Sequence, residues 1–339
     1  MSETSLPERP LDRFLELLDA LMENKRWFED PTALRYAASS LLTTPGDPQQ
    51  VAAQLNDVAE QLKKDAGWFG PLNSAVRFVV AAMLLRSGKN PHEFCAEVAR
   101  VEELFKLHKL KRGTTYTYLA AMLLIDNGQR SQTHVGSDQV GRFAALYAEM
   151  KGHHLFLTGQ DDYPTCALLS SLPGAPSELG QRCEVFYEGL RDLGFSRGNA
   201  LQTISHMLVF APDDDGVVMQ RFRRLYDGFD KAGLWMHTGD YDEVAALSFL
   251  PHETANVVST VLRHRESIAK HPPKPGRELS FSLACGTGFL ELAGDQAMNE
   301  HLRGTQNILA VQAIIQAQQA AMMAAAVSAS AAASSASHG

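Results

Sequence analysis

Apolar residues return at helical spacing along nearly the whole chain. Leu11, Phe14, Leu15, Leu18, Leu21 and Met22 set an apolar stripe on one face of a first helix. Asp30-Pro31 punctuates it, and Thr32 through Leu42 reads as a second helix that stops before Thr43-Thr44-Pro45-Gly46-Asp47-Pro48. Sustained period-two alternation with β-branched residues is not found, so the pattern predicts an all-α protein without a sheet.

Two segments about eighty residues apart share order and spacing as well as composition. Arg142-Phe143-Ala144-Ala145-Leu146-Tyr147 matches Arg221-Phe222-Arg223-Arg224-Leu225-Tyr226. Thr158-Gly159-Gln160-Asp161-Asp162-Tyr163 matches Thr238-Gly239-Asp240-Tyr241 once two residues are inserted, and Leu169-Ser170-Ser171-Leu172-Pro173 matches Leu247-Ser248-Phe249-Leu250-Pro251. Lys64-Asp65-Ala66-Gly67-Trp68 resembles Asp230 to Trp235 and marks an earlier copy. Three units follow, at 51–137, 138–216 and 217–295, with capping helices over 1–50. A half-period of about 39 also shows, as in Tyr187-Glu188-Gly189-Leu190 against Tyr226-Asp227-Gly228-Phe229, and points to two helical hairpins per unit. The expected architecture is a set of tandem helical hairpins packed as one α-solenoid-like or pseudosymmetric body, each unit burying its apolar face on the next. Residues 296–327 read as a C-terminal helix with an apolar side at Ile308, Leu309, Val311, Ile314 and Ile315, which docks on its own chain or mediates self-association. Residues 328–339 form a Ser/Ala tail expected to be disordered.

Composition narrows the function classes. Apolar residues are 45% and charged residues 21% of the 339, as in an ordinary folded protein. The net charge of −8 argues against nucleic acid as a partner. The densest basic run, Lys106, Lys109, Lys111 and Arg112 around His108, reads as a solvated helix end. Cys95, Cys166, Cys183 and Cys285 form no C-x-x-C pair, and no secretory signal or membrane span is evident, so a cytoplasmic location is expected.

Duplication puts Asp162-Tyr163 and Asp240-Tyr241 at equivalent positions, the most tempting ligand site. Facing units would let both carboxylates converge on one cation, with His153, His154 and His237 as nitrogen ligands. The structural alternative is that each aspartate is a helix N-cap, Asp240 and Glu243 being spaced as a capping box. Capping is the expectation, and no metal or cofactor is assigned. Cys285-Gly286-Thr287-Gly288 offers a nucleophile on a glycine-rich loop, with His206 falling beside Cys285 when the units are superposed; the alternative is a small buried residue at a helix end. His252-Glu253 begins like a zinc-protease helix, but Asn256 stands where the second histidine is required. Asp213-Asp214-Asp215-Gly216 lacks an EF-hand's alternating ligands and is expected to cap the helix near Val217.

The Thr-Gly-x-Asp-Tyr and Leu-Ser-x-Leu-Pro elements, with Tyr226-Asp227-Gly228-Phe229 and Lys231-Ala232-Gly233, resemble an uncharacterised bacterial family of all-helical proteins of unknown function, over roughly residues 10–300. The resemblance implies a bacterial cytosolic origin and transfers no activity or catalytic residues. The function expected is a non-catalytic helical-repeat scaffold that binds a protein or small ligand between units. The competing reading is a metal-dependent or cysteine-based enzyme with its site at a unit interface.

Overall fold

A computed structural model of the chain describes residues 7–25, 31–65, 72, 75–128, 134–154 and 157–294. The C-terminal helix and Ser/Ala tail expected over 296–339 lie outside these residues. The described residues form fourteen α-helices and no strand: α1 (Pro10–Glu23), α2 (Pro31–Ser40), α3 (Pro48–Asp65), α4 (Val76–Ser87), α5 (Pro91–Leu107), α6 (Thr115–Gly128), α7 (Ser137–His153), α8 (Tyr163–Leu169), α9 (Pro176–Asp192), α10 (Asn199–Leu208), α11 (Asp215–Lys231), α12 (Tyr241–Leu247), α13 (Thr254–Lys270) and α14 (Arg277–Ala293). The protein is therefore all-α, as its apolar spacing predicts.

Odd- and even-numbered helices differ in kind. Among the odd ones, α5, α7, α9, α11 and α13 are each 17 residues long and bury a single stripe, such as Val218, Phe222, Leu225 and Phe229 of α11. A stripe at that spacing belongs to a helix with one face in the core and one in water. The even ones are mostly shorter and apolar all round. Every residue of α8 is buried, and α4 is buried without a break from Val76 to Leu84. A helix without a polar face must be surrounded by protein.

The packing order follows from this difference. The odd helices pack on one another in chain order from α1 to α13, forming an outer layer. Inside them, α6, α8, α10, α12, α14, α2 and α4 pack in that order, so the inner layer joins the first and last of the described helices. Helix α14 lies against both α1 and α2. His271 Nε2 sits 2.7 Å from Asp19 Oδ1, and Arg35 donates to the carbonyl of Pro273. The contacts therefore close on themselves among the described residues, the first helices meeting the last described one. Small residues permit the close approach at this seam and beside it. A Cβ at Gly288 would come within 3.3 Å of Val261 on α13, and one at Gly286 within 3.5 Å of Ser39 on α2.

One arginine contact recurs and fixes the direction of the helices. Arg142, Arg182 and Arg221, in the N-terminal halves of α7, α9 and α11, donate to the carbonyls of Ser170, Val209 and Ser248, at the C-terminal ends of α8, α10 and α12, at 2.7, 2.9 and 2.9 Å. Arg13 of α1 reaches Thr44 O, just past α2, at 3.0 Å. The last carbonyls of a helix have no partner within it and carry the negative end of its dipole, so a guanidinium satisfies both needs. Each such pair of helices is antiparallel. The inner helices consequently point the same way, with their N-termini at one end of the molecule.

Candidate functional site

Hydrogen bonds between successive inner helices confirm that their N-termini gather at that end. Gln202 Nε2 in the first turn of α10 donates to Thr158 Oγ1 ahead of α8 at 2.7 Å, and Tyr241 Oη at the start of α12 accepts from Ser196 N ahead of α10 at 3.4 Å. Arg277, opening α14, reaches His237 Nε2 at 2.9 Å and Asp240 Oδ2 at 3.5 Å. Asp162, Tyr163, His154, Asp240, Tyr241 and His237 therefore all lie toward one end.

Each aspartate is held by its own 3-10 turn. In the turn Gln160–Asp162, Asp162 Oδ2 accepts from Gly159 N at 2.9 Å; in the turn Thr238–Asp240, Asp240 Oδ2 accepts from His237 N at 3.0 Å. This corrects the capping expectation in detail. Both carboxylates reach backward and tie down the turn, while neither caps the helix that follows. It also changes the alignment: Thr238 stands opposite Gln160, so the turn itself needs no two-residue insertion, and a single residue separates its register from that of Arg142 and Arg221.

The two tyrosines are pillars of matching aromatic clusters. Tyr163 meets Phe143 at 5.3 Å and Tyr147 at 4.9 Å, and its hydroxyl accepts from Lys111 N at 3.1 Å. Tyr241 meets Phe222 at 6.0 Å and Tyr226 at 5.7 Å. Edge-on rings with a satisfied hydroxyl are the mark of core tyrosines.

Around Asp162 the polar neighbours are neutral or partnered. His206 Nδ1 lies 3.8 Å from Asp162, fully shielded and without a hydrogen bond. Burial, with His154 nearby, pushes the His206 imidazole down to about 3, and burial pushes Asp162 up to about 7. Removing either charge from water without a compensating partner favours its neutral form. His154 pairs with Glu184 at 2.8 Å, and His153 lies 3.9 Å from the same carboxylate. Around Asp240 stand the Arg277 guanidinium and His237 instead. No group of three or more His, Cys, Asp or Glu side chains among the described residues is arranged to hold a metal ion.

Cys285 lies inside α14, not on a loop or at a helix end, and its thiol is buried. The groups acting on it are its own burial and then the carboxylates of Glu243, Asp240 and Asp242, all raising its pKa well above the usual thiol value. A thiol held protonated is a poor nucleophile. The polar neighbours of His206 are Asp162 and His154, so Cys285 and His206 belong to different surroundings. Thr287 of the same segment bonds His264 Nδ1 at 2.8 Å, a buried link between α13 and α14. His252 Nε2 lies 3.1 Å from Leu292 O, and Asp214 Oδ1 caps α11 through Gly216 N at 2.9 Å.

A cluster not singled out in the sequence emerges beside Cys285. Asp242 and Glu243, in the first turn of α12, hydrogen-bond each other, and Glu243 also takes a hydrogen bond from Ser282 of α14. Tyr36 of α2 bonds Ser282 and feels Glu243 and Asp242. Helix α14 packs against both α12 and α2, so the three helices that carry these side chains are neighbours. Burial is the first cause raising the pKa of both carboxyls, and for Glu243 the charge of Asp242 is the second. Burial first, then these carboxylates, also raises Tyr36 far above the usual phenol range.

Comparison with known proteins adds a family. Residues 19–320 match the model of a family described as a protein of unknown function, DUF4003. The chain belongs to the DUF4003 family. A relative from Bacillus subtilis (strain 168), the uncharacterized protein YeaA, is 28% identical over 272 residues, covering 78% of each chain. No solved structure matches the chain. This is a family of uncharacterised function with a bacterial member, as the resemblance in the sequence implies, and it transfers no activity. Among the described residues, no helix is long and apolar enough to cross a membrane.

Proposed function

We propose that this DUF4003 protein is a non-catalytic helical-repeat scaffold that binds a small ligand at the end of the molecule where its inner helices begin. The recurring arginine contact, at intervals of about 39 residues from Arg142 to Arg182 to Arg221, supports the hairpin as the repeated element. The observation that carries the ligand reading is the group formed by Tyr36, Asp242, Glu243 and Ser282 across three neighbouring inner helices. Polar side chains that converge within an apolar scaffold, with strongly perturbed acids among them, are the usual signature of a binding site. The buried, protonated Cys285 beneath them favours binding over nucleophilic catalysis.

Thermal-shift screening of the purified full chain against a library of small metabolites, in parallel with Tyr36→Phe, tests this. A compound that raises the melting midpoint of the parent and not of the variant supports it, since ligands that bind only the folded state stabilise by mass action. A library without any such compound counts against it.

A further inference from the structure

We propose that the end of the molecule where the inner helices begin docks on an anionic membrane surface, with Trp235 and Leu107 entering the lipid interface and Lys109, Lys111, Arg197 and Lys274 meeting the headgroups. The proposal stands apart from the small-ligand reading and shares only its end of the molecule.

Hydrogen bonds lace the connectors at this end into one edge. Lys111 N donates to Tyr163 Oη, Gln160 Nε2 to Thr114 Oγ1, Gln202 Nε2 to Thr158 Oγ1, Ser196 N to Tyr241 Oη, and Arg277 to the carbonyl of Trp235. Three of the connectors leave their outer helix by the same turn. Leu110, Phe195 and Leu234 donate their backbone N–H groups to the carbonyls of Phe105, Leu190 and Phe229. The residue before each has a positive φ, 58° at Lys109, 93° at Gly194 and 86° at Gly233. In this shared turn Trp235 takes the place of Lys111 and Ser196, and Leu107 that of Asp192 and Lys231. Polar residues therefore satisfy the fold at both places. Yet among the described residues these are the two most exposed large apolar side chains, Trp235 at 85% and Leu107 at 73%. Leu234 and Met236, on either side of Trp235, are buried, so the backbone is anchored while the indole stands in solvent. An amphipathic ring held out in this way fits a boundary that is apolar on one side and wet on the other.

Charge selects the kind of boundary. The chain carries a net −8, but the described connectors at this end expose Lys109, Lys111, Arg197 and Lys274 against one exposed acid, Asp161; Asp162 and Asp240 are buried, and Arg112 pairs with Glu103. In the adjoining helical turns Lys106, Lys151 and Lys231 balance Asp192, Asp230 and Glu278. At the opposite end the described connectors carry Asp47, Asp213, Asp214 and Glu253 against Lys89. The two ends thus differ in sign, and the basic one bears the indole. Lysines beside an interfacial tryptophan are the combination that anionic lipid headgroups attract and retain. Leu107 ends α5 whereas Trp235 follows α11, a spread along the edge that suits an extended surface over a single peptide epitope.

The test is co-sedimentation of the full chain with vesicles of phosphatidylcholine alone and of phosphatidylcholine with about a third phosphatidylglycerol, at about 0.15 M and about 0.5 M salt. The expected result is binding to the anionic vesicles only, weakened at the higher salt. Trp235→Ala should weaken it at least about fivefold. The double variant Lys111→Glu, Lys274→Glu should weaken it at least about tenfold. Val185→Ala, which removes an exposed apolar side chain from the outer helix α9, should leave it unchanged. Absence of binding to the anionic vesicles, equal binding to the neutral ones, binding unmoved by salt, or undiminished binding of Trp235→Ala overturns the proposal. Retention of the parent on immobilised polyglutamate together with failure on vesicles assigns this end to an acidic protein and overturns it as well.

Discussion

The turns Gln160–Asp162 and Thr238–Asp240 are built alike and surrounded differently. Both use an aspartate that accepts from the backbone three residues earlier, and both are followed by a tyrosine wedged edge-on into an aromatic cluster. Beyond these shared parts they diverge. Pro164 and Thr165 follow the first tyrosine, whereas Asp242 and Glu243 follow the second. The first aspartate faces the neutral His206, the second a guanidinium. What the copies share holds the fold, and what they do not share carries the candidate chemistry.

The strongest way to break that comparison is to remove a shared pillar. Tyr163→Ala and Tyr241→Ala should each destabilise by about 3–5 kcal/mol, the cost of emptying a large aromatic site in a packed core. Chemical denaturation of the two variants checks this, and a clear inequality between them would mean the clusters are not equivalent. Next in size is the arginine contact. Arg221→Ala removes the bond to Ser248 O and the 2.8 Å contact with Asp213, and should cost about 1–3 kcal/mol. Arg182→Ala should cost a similar amount, since it loses Val209 O and Asp215.

A subtler difference lies in pH dependence. Asp162, pushed up to about 7 from a carboxylate's ordinary value near 3.8, keeps a proton in the fold that the unfolded chain gives up, so its contribution falls as pH rises from about 4 to 7. His206, pushed down to about 3 from 6.5, refuses a proton that the unfolded chain takes, so its contribution is lost as pH falls from about 6.5 to 3. Between about 4 and 6.5 the two slopes oppose each other. Asp162→Asn should expose the histidine, giving stability that rises with pH by up to about 1.4 kcal/mol per unit in that window. His206→Asn should expose the opposite slope. Urea midpoints measured every half unit of pH would show both. The smallest effect should come from Tyr163→Phe, which forfeits the bond from Lys111 N and should cost about 1 kcal/mol.

The outer helices were legible in the sequence because their apolar residues keep the 3.6 period: Phe222, Leu225 and Phe229 declare a buried face without knowledge of any partner. The resemblance of the two Asp-Tyr turns was legible because their hydrogen bonding is local and made twice. Ring closure was not, because it depends on contacts such as His271 with Asp19, 252 residues apart. Cys285-Gly286-Thr287-Gly288 suggested a loop because glycines disfavour helix, yet here they let α14 lie close to α13 and α2. The carboxyl pair escaped notice because an acid three residues into a helix has the spacing of a capping box. Only the approach of Tyr36 and Ser282, from helices distant in the chain, distinguishes Glu243 from an ordinary cap partner.

On the proposed reading, Asp242 and Glu243 serve a ligand and burden the fold, whereas the matching Asp-Tyr turns support it. The measurement that tests it most directly is the melting midpoint, at pH 8 and without ligand, of the double variant Asp242→Asn, Glu243→Gln against the parent chain. Relieving two acids held in contact should raise the midpoint by about 2 °C or more, as expected where function has been kept at the expense of stability. A midpoint lowered by that amount would make the pair part of the structural framework and contradict the account.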